Sequence, residues 1–246
     1  MLLGLFWGDW TLLILLPGLL ISLYAELRVK ATVGRYAAVP VQPGMTGAAV
    51  AERILASNDV YDVSVERVAG QLTDHYDPSA KVLYLSETTY GRSSVAAVGI
   101  AAHEAGHALQ HAKGYVPLRM RTALVPVCNF GARLAMPLFF IGLIFSVWLS
   151  YIDAMTTFGL ALMLVGVCAF SLSVLFQLVT LPVEFNASRR AMRCLTRSGT
   201  MNDAELTGAG RVLHAAALTY VAALLTGLLF LLRLLIIVAG VSGRRR

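Results

Sequence analysis

Charge is what this sequence has least of. Asp, Glu, Lys and Arg together supply 14% of its 246 residues, 57% are hydrophobic and the mean hydropathy is +0.70. A soluble domain of this size could not hide so much apolar surface, so the composition points to an integral membrane protein. Cysteine is nearly absent too. Cys128, Cys168 and Cys194 are far apart and form no C-x-x-C, which argues against a disulfide framework and against a cysteine zinc site. Cys128 and Cys168 lie in apolar runs and read as small hydrophobes. Acidic residues are fewer than basic ones, fourteen against twenty, for a net charge of +6. In a membrane protein that excess is read through loop topology and lipid contact. No stretch interleaves aromatic and basic side chains, so no nucleic-acid partner is expected. Nor does a basic segment precede the first apolar run, since nothing before Arg28 is positive and Asp9 is acidic. That favours a retained anchor with its N-terminus outside over a cleaved signal peptide.

What is abundant is long apolar runs: Leu2 to Tyr24, Val125 to Tyr151, Met155 to Leu181 and about Val212 to Val241. Each is long enough to cross a bilayer as a helix, which takes about 20 residues. The expected fold is a mainly α integral membrane protein with about four transmembrane helices and a small α+β portion. Its segments are an anchor (1–25), a soluble α+β portion (26–124), a transmembrane hairpin (125–181), a charged helix (182–211) and a last transmembrane helix with a basic tail (212–246). Pro17 and Pro137 are expected to kink their spans.

Within the soluble portion, Pro40, Pro43 and Gly44 mark a linker, and Thr46 to Ser57 reads as a helix capped by Thr46. Asp62 to Val68 and Lys81 to Ser86 read as strands. Asp74-His75-Tyr76-Asp77-Pro78 reads as a turn whose Asp side chains bond local backbone N–H groups, rather than as a metal site. The strand at Lys81 to Ser86 could accept an extended peptide by edge addition, or simply belong to a packing sheet. About fifteen of the twenty Lys and Arg lie between the first and second spans or between the third and fourth. The positive-inside rule then puts both segments in the cytoplasm of a multi-pass plasma (inner) membrane protein. Arg244 to Arg246 falls outside against that rule, so either the short tail is outvoted or the last run re-enters near Arg233.

The chemistry centres on His103-Glu104-Ala105-Gly106-His107, an H-E-x-x-H. On a helix, residues four apart share a face, so His103 and His107 can address one Zn²⁺ per chain, with Glu104 beside the attacking water as general base. Ser93-Ser94 can cap that helix, its alanines favour it, and Gly114 can end it after Lys113. His111, one turn beyond His107, reads as a supporting residue or a partner for the helix C-terminus rather than a third ligand.

A third protein ligand is required, with the fourth position open. The pattern H-E-x-x-H-x-x-G-x-x-H needs Gly at 110 and His at 113, where this chain has Gln110 and Lys113. Glu184 is the better candidate. It follows a helix break expected at Pro182, opens a helix, and by the four-span topology returns to the side that carries His103. The alternative role for Glu184 is as a carboxylate favoured by the positive end of that helix.

His103 to His111, Leu72 to Pro78, Pro182 to Arg190 and Ala216 to Ala222, in that order, resemble the YugP-type neutral zinc metallopeptidases, which are bacterial integral membrane proteins. The resemblance covers about Leu19 to Leu229. It implies a zincin-like, gluzincin-like metallopeptidase with His103, His107 and Glu184 on zinc and Glu104 as base. A more distant likeness is to the membrane HtpX and Ste24 peptidases. Those place an Asp four residues after the ligand Glu, where this chain has Ser188; closer relatives often carry Asp where it has Asn186. Asn186 and Ser188 are therefore candidates for orienting the ligands, and Tyr220, His214 and Arg189 for stabilising the oxyanion.

The expected function is a membrane-embedded zinc endopeptidase that acts at the cytoplasmic face on membrane-associated or unfolded proteins, under a regulatory membrane partner. An apolar pocket near Phe185 would favour hydrophobic side chains. A site-2-type intramembrane protease would carry an L-D-G or N-P-D-G, and neither occurs. The alternative from another class is a catalytically silent, zinc-stabilised membrane scaffold or adaptor, against which the non-ligand Glu104 argues.

Overall fold

The computed structural model describes residues 10–41, 45–149 and 151–243. Residues 2–9 of the first apolar run, the Pro43-Gly44 part of the linker and the Arg244 to Arg246 tail lie outside the described residues. A 3-10 turn, Trp10–Leu15, leads into α1 (Leu16–Ala37), followed by α2 (Gly47–Ala56), β1 (Ser64–Val68), β2 (His75–Asp77) and β3 (Val82–Ser86). Then come α3 (Glu87–Tyr90), α4 (Val95–Ala112), α5 (Val116–Trp148), α6 (Asp153–Ser198) and α7 (Asp203–Gly243).

Among the described residues four helices are long and apolar enough to cross a membrane: the one that includes α1, and α5, α6 and α7. Only 11–28% of the residues in their apolar windows are buried, as expected where lipid covers the rest. Contacts divide the chain into two compact units. One draws on 1–23, 121–179 and 221–246, the other on 24–120 and 180–220.

In the first unit Phe139, Met163, Val167, Leu234 and Val238 form a buried cluster. Glycine lets α5 and α6 approach closely there. A Cβ on Gly166 would stand 2.7 Å from the Ala135 carbonyl oxygen, and one on Gly142 2.5 Å from that of Gly159. Small residues at such crossings are how helices pack where lipid removes the hydrophobic drive between them. The last helix is unbroken through Arg233, whose Nε donates to Thr11 Oγ1 at 3.2 Å, so re-entry near Arg233 is ruled out.

The second unit carries the candidate residues His103, Glu104, His107 and Glu184. Thr46 and Ser94 cap α2 and α4, each accepting a backbone N–H with its side-chain oxygen. The two helices bury Val50, Ile54 and Leu55 against Val98, Ala101, Ala102 and Ala105 in one core that also takes in Leu83 and Leu85 of β3 and Ala191, Leu195, Ala209 and Val212 of α6 and α7. Gly114, at φ +60°, closes α4.

Two expectations need correction, and one open alternative is decided. Of the two roles open to the strand at Lys81 to Ser86, the packing sheet holds, because this strand is not an edge. The sheet order is β1-β3-β2, with β1 parallel and β2 antiparallel to β3, so both sides of β3 are paired and it cannot accept a substrate strand. His75 to Asp77, read as a turn, is strand β2. Of its two acids only Asp77 bonds the local backbone, at Ser79 and Ala80, whereas Asp74 reaches across to the N–H and hydroxyl of Ser86. The helix break at Pro182 is absent. Pro182 lies inside α6, as Pro126 and Pro137 lie inside α5. Pro17 falls in the first turn of α1, where a missing N–H costs little.

Candidate metal centre

The alanine-rich α4 presents His103 and His107 one turn apart, with ring centroids 4.8 Å apart. Gly106 between them has a packing duty. A Cβ there would lie 2.6 Å from the Ala187 carbonyl oxygen of α6. Only a glycine lets α6 come so close, and that approach delivers Glu184 to the histidines. Glu184 is 2% exposed, and its Oε2 lies 3.2 Å from His103 Nε2 and 3.5 Å from His107 Nε2. The continuous helix puts Glu184 in mid-helix, so the positive end of a helix does not account for it.

The outer nitrogens are held as well. Ser188 Oγ lies 3.1 Å from His103 Nδ1, and Gln110 Oε1 lies 3.0 Å from His107 Nδ1. Gln110 is fully buried, and its Nε2 donates to the Val183 carbonyl at 2.8 Å and to Asn186 Oδ1 at 3.0 Å. Because a carbonyl can only accept, the amide orientation is fixed: Oε1 faces His107, and the ring proton sits on Nδ1. With its proton on Nδ1 alone, His107 turns a lone pair at Nε2 toward a carboxylate oxygen 3.5 Å away, and a cation between these two acceptors would satisfy both.

The donor set fits zinc. The three ligand atoms lie within 4.8 Å of one another. Ligands about 2.1 Å from a tetrahedral ion stand roughly 3.4 Å apart, close to the two carboxylate–imidazole distances. Two imidazoles and a carboxylate also leave the fourth position open.

Glu104 is 9% exposed and makes no hydrogen bond among the described residues. Burial pushes its carboxyl up to about 7, against the pull of His103. It lines a cavity of about 190 Å³ together with His103, Glu184, Ser188, Asp74 and Tyr220.

The other sequence candidates separate. Asn186 supports the histidines indirectly, by accepting from Gln110 and from Arg190 Nε at 2.7 Å. His111 does not line the cavity. Its Nδ1 is hydrogen-bonded to the hydroxyl of Tyr76 at 2.8 Å, and burial lifts that hydroxyl to about 12. Arg189 and His214 line a neighbouring cavity of about 700 Å³ with Phe185 and Met192, and Arg189 Nε bonds the Phe185 carbonyl. Sequence reasoning missed Gln110 and Asp74. The available signal for Gln110 was an amide three residues after His107 on a helix otherwise nearly devoid of polar side chains.

A sequence model of the family described as "Putative neutral zinc metallopeptidase" matches residues 11–239. The chain belongs to this family. It is also 45% identical over 217 residues to "Putative membrane protease YugP" of Bacillus subtilis (strain 168), covering 88% of this chain and 91% of that protein. No solved structure matches the chain. Family membership, the four membrane-length helices and the three-stranded sheet together make this a mostly helical membrane protein of the zinc metallopeptidase class.

Proposed function

We propose that the chain is a membrane-embedded zinc endopeptidase in which His103, His107 and Glu184 hold one zinc ion and Glu104 is the general base. The observation that carries this reading is the convergence of His103, His107 and Glu184, whose ligand atoms lie within 4.8 Å of one another beside a buried Glu104. When bound, zinc supplies a Lewis acid that acidifies water and polarises the scissile carbonyl.

The chain's own groups do the rest. Ser188 and Gln110 hold the two imidazoles with Nε2 inward. Glu104 takes a proton from the attacking water and returns it to the departing amine, a transfer suited to a carboxyl whose pKa lies near the working pH. Tyr220, on the same cavity wall, supplies the hydroxyl for the developing oxyanion. The neighbouring cavity shares Ser188, Leu213 and Ala217 with this one and takes an apolar side chain of the substrate against Phe185 and Met192. Lysine and arginine placement favours a site on the cytoplasmic face of the plasma membrane, reached by protein or peptide substrates.

The test is to compare zinc content and hydrolysis of an unfolded protein between the purified chain and Glu104→Gln. Zinc kept by both, with cleavage lost at least 1,000-fold (roughly what removal of a general base costs) only in the variant, supports the assignment. Equal cleavage by both would remove Glu104 from the mechanism.

A further inference from the structure

A separate cavity of about 620 Å³ lies between α1 and α7 and has no part in the proposed chemistry. Arg28, Arg35 and Tyr36 line it from α1, and Thr207, Arg211 and His214 from α7. No Asp or Glu is among its lining residues. Three exposed arginines therefore line one hollow whose lining has no carboxylate, a positive surface that attracts an anion.

Their placement is ordered. Tyr36 is 9% exposed, and its hydroxyl accepts from Arg211 Nη1 at 3.0 Å, while the Arg35 guanidinium carbon lies 5.8 Å from the centre of the same ring. One buried phenol thus steadies two guanidiniums. Planar guanidinium forks match the paired oxygens of a phosphate, and a threonine hydroxyl adds a neutral donor.

The chain also indicates where such a phosphate comes from. On α1 the exposed Leu19, Leu20, Leu23 and Leu27 run directly up to Arg28. On α7, Arg211 stands directly before the long apolar run of about Val212 to Val241. Arginines just beyond the apolar part of a membrane-crossing helix sit at the depth of lipid phosphates.

We propose that this cavity binds a phosphate group, supplied by the headgroup of an anionic phospholipid. The cavity shares Gly210 and His214 with the neighbouring one, but none of its lining residues is a candidate metal ligand, so the site does not depend on the zinc assignment.

The experiment titrates the full chain in uncharged detergent with short-chain phosphatidylglycerol, with phosphatidylcholine of the same chain length, and with inorganic phosphate, following the thermal midpoint. Phosphatidylglycerol should stabilise the protein and phosphatidylcholine should not. Arg35→Gln with Arg211→Gln should weaken the apparent affinity by about fivefold for each arginine removed. Because Arg211 bonds Tyr36, Arg28→Gln with Arg35→Gln is a second pair that leaves that bond intact, and a cooperative melt in lipid-free detergent reports a folded protein. Saturable stabilisation by inorganic phosphate, lost in the same variants, upholds the phosphate site and makes its source soluble. Equal effects of the two lipids, or an undiminished phosphatidylglycerol effect in both folded double variants, overturns the proposal.

Discussion

Gln110 Oε1 lies 3.0 Å from His107 Nδ1, and the same amide donates to the Val183 carbonyl of the helix that carries Glu184. A single buried side chain thereby sets the tautomer of one candidate ligand and the distance to the element bearing another. Gln110→Ala should lower zinc affinity 10- to 100-fold, the usual cost of losing a bond to a ligand histidine, as read by chelator competition. Unchanged affinity would reduce Gln110 to a packing residue. Ser188→Ala should act in the same direction through His103 Nδ1.

Gly106→Ala sets a methyl group against the Ala187 carbonyl oxygen, 2.6 Å from the new carbon. Backbone cannot yield there without moving α4 from α6. Destabilisation of about 1–3 kcal/mol is expected, together with loss of zinc. Full zinc occupancy and an unchanged thermal midpoint would show that the contact is not needed.

Burial lifts Glu104 from 4.5 to about 7. The folded chain therefore holds that proton more tightly than the unfolded one. The stability it contributes is complete below about 4.5 and is lost as pH rises through about 7, by about 3 kcal/mol. In zinc-free protein, Glu104→Gln should match the unmodified chain at pH 4.5 and melt higher at pH 8. A difference that does not change with pH would contradict this.

Tyr220→Phe keeps the ring on the cavity wall and removes only the hydroxyl. If that hydroxyl meets the oxyanion, kcat should fall roughly 100-fold with zinc content and KM little changed. A variant with normal kcat would return the role to another donor.

The proposed orientation makes Lys113, exposed just past α4, cytoplasmic. A cysteine placed there should resist a membrane-impermeant maleimide in intact cells and react once the cells are opened. Rapid labelling of intact cells would invert the topology.

The local parts of the site were legible because they depend on short spacings. A spacing of four from His103 to His107 suffices to put them on one face, and the Thr46 and Ser94 caps follow from side-chain chemistry next to a helix. Glu184 could be nominated from the resemblance and from span counting. Its mid-helix setting could not, because a proline inside a membrane-crossing helix is tolerated where neighbouring groups re-satisfy the freed backbone. Pro182 in a sequence looks the same whether it ends a helix or passes through one. The central position of β3 was hidden for a similar reason: alternation marks a strand but does not count its neighbours. Gln110 was overlooked because its meaning lies in Val183 and Asn186, more than seventy residues away.

The order of the candidate ligands along the chain has a consequence for biosynthesis. His103 and His107 precede the membrane hairpin, and Glu184 follows it on the second arm of that hairpin. No contiguous water-soluble fragment contains all three. During synthesis the ribosome must emit both arms before the third ligand exists, so a nascent chain is chemically incomplete until its hairpin is available for insertion. If these three side chains hold zinc as proposed, the centre cannot form until the whole hairpin has been synthesised.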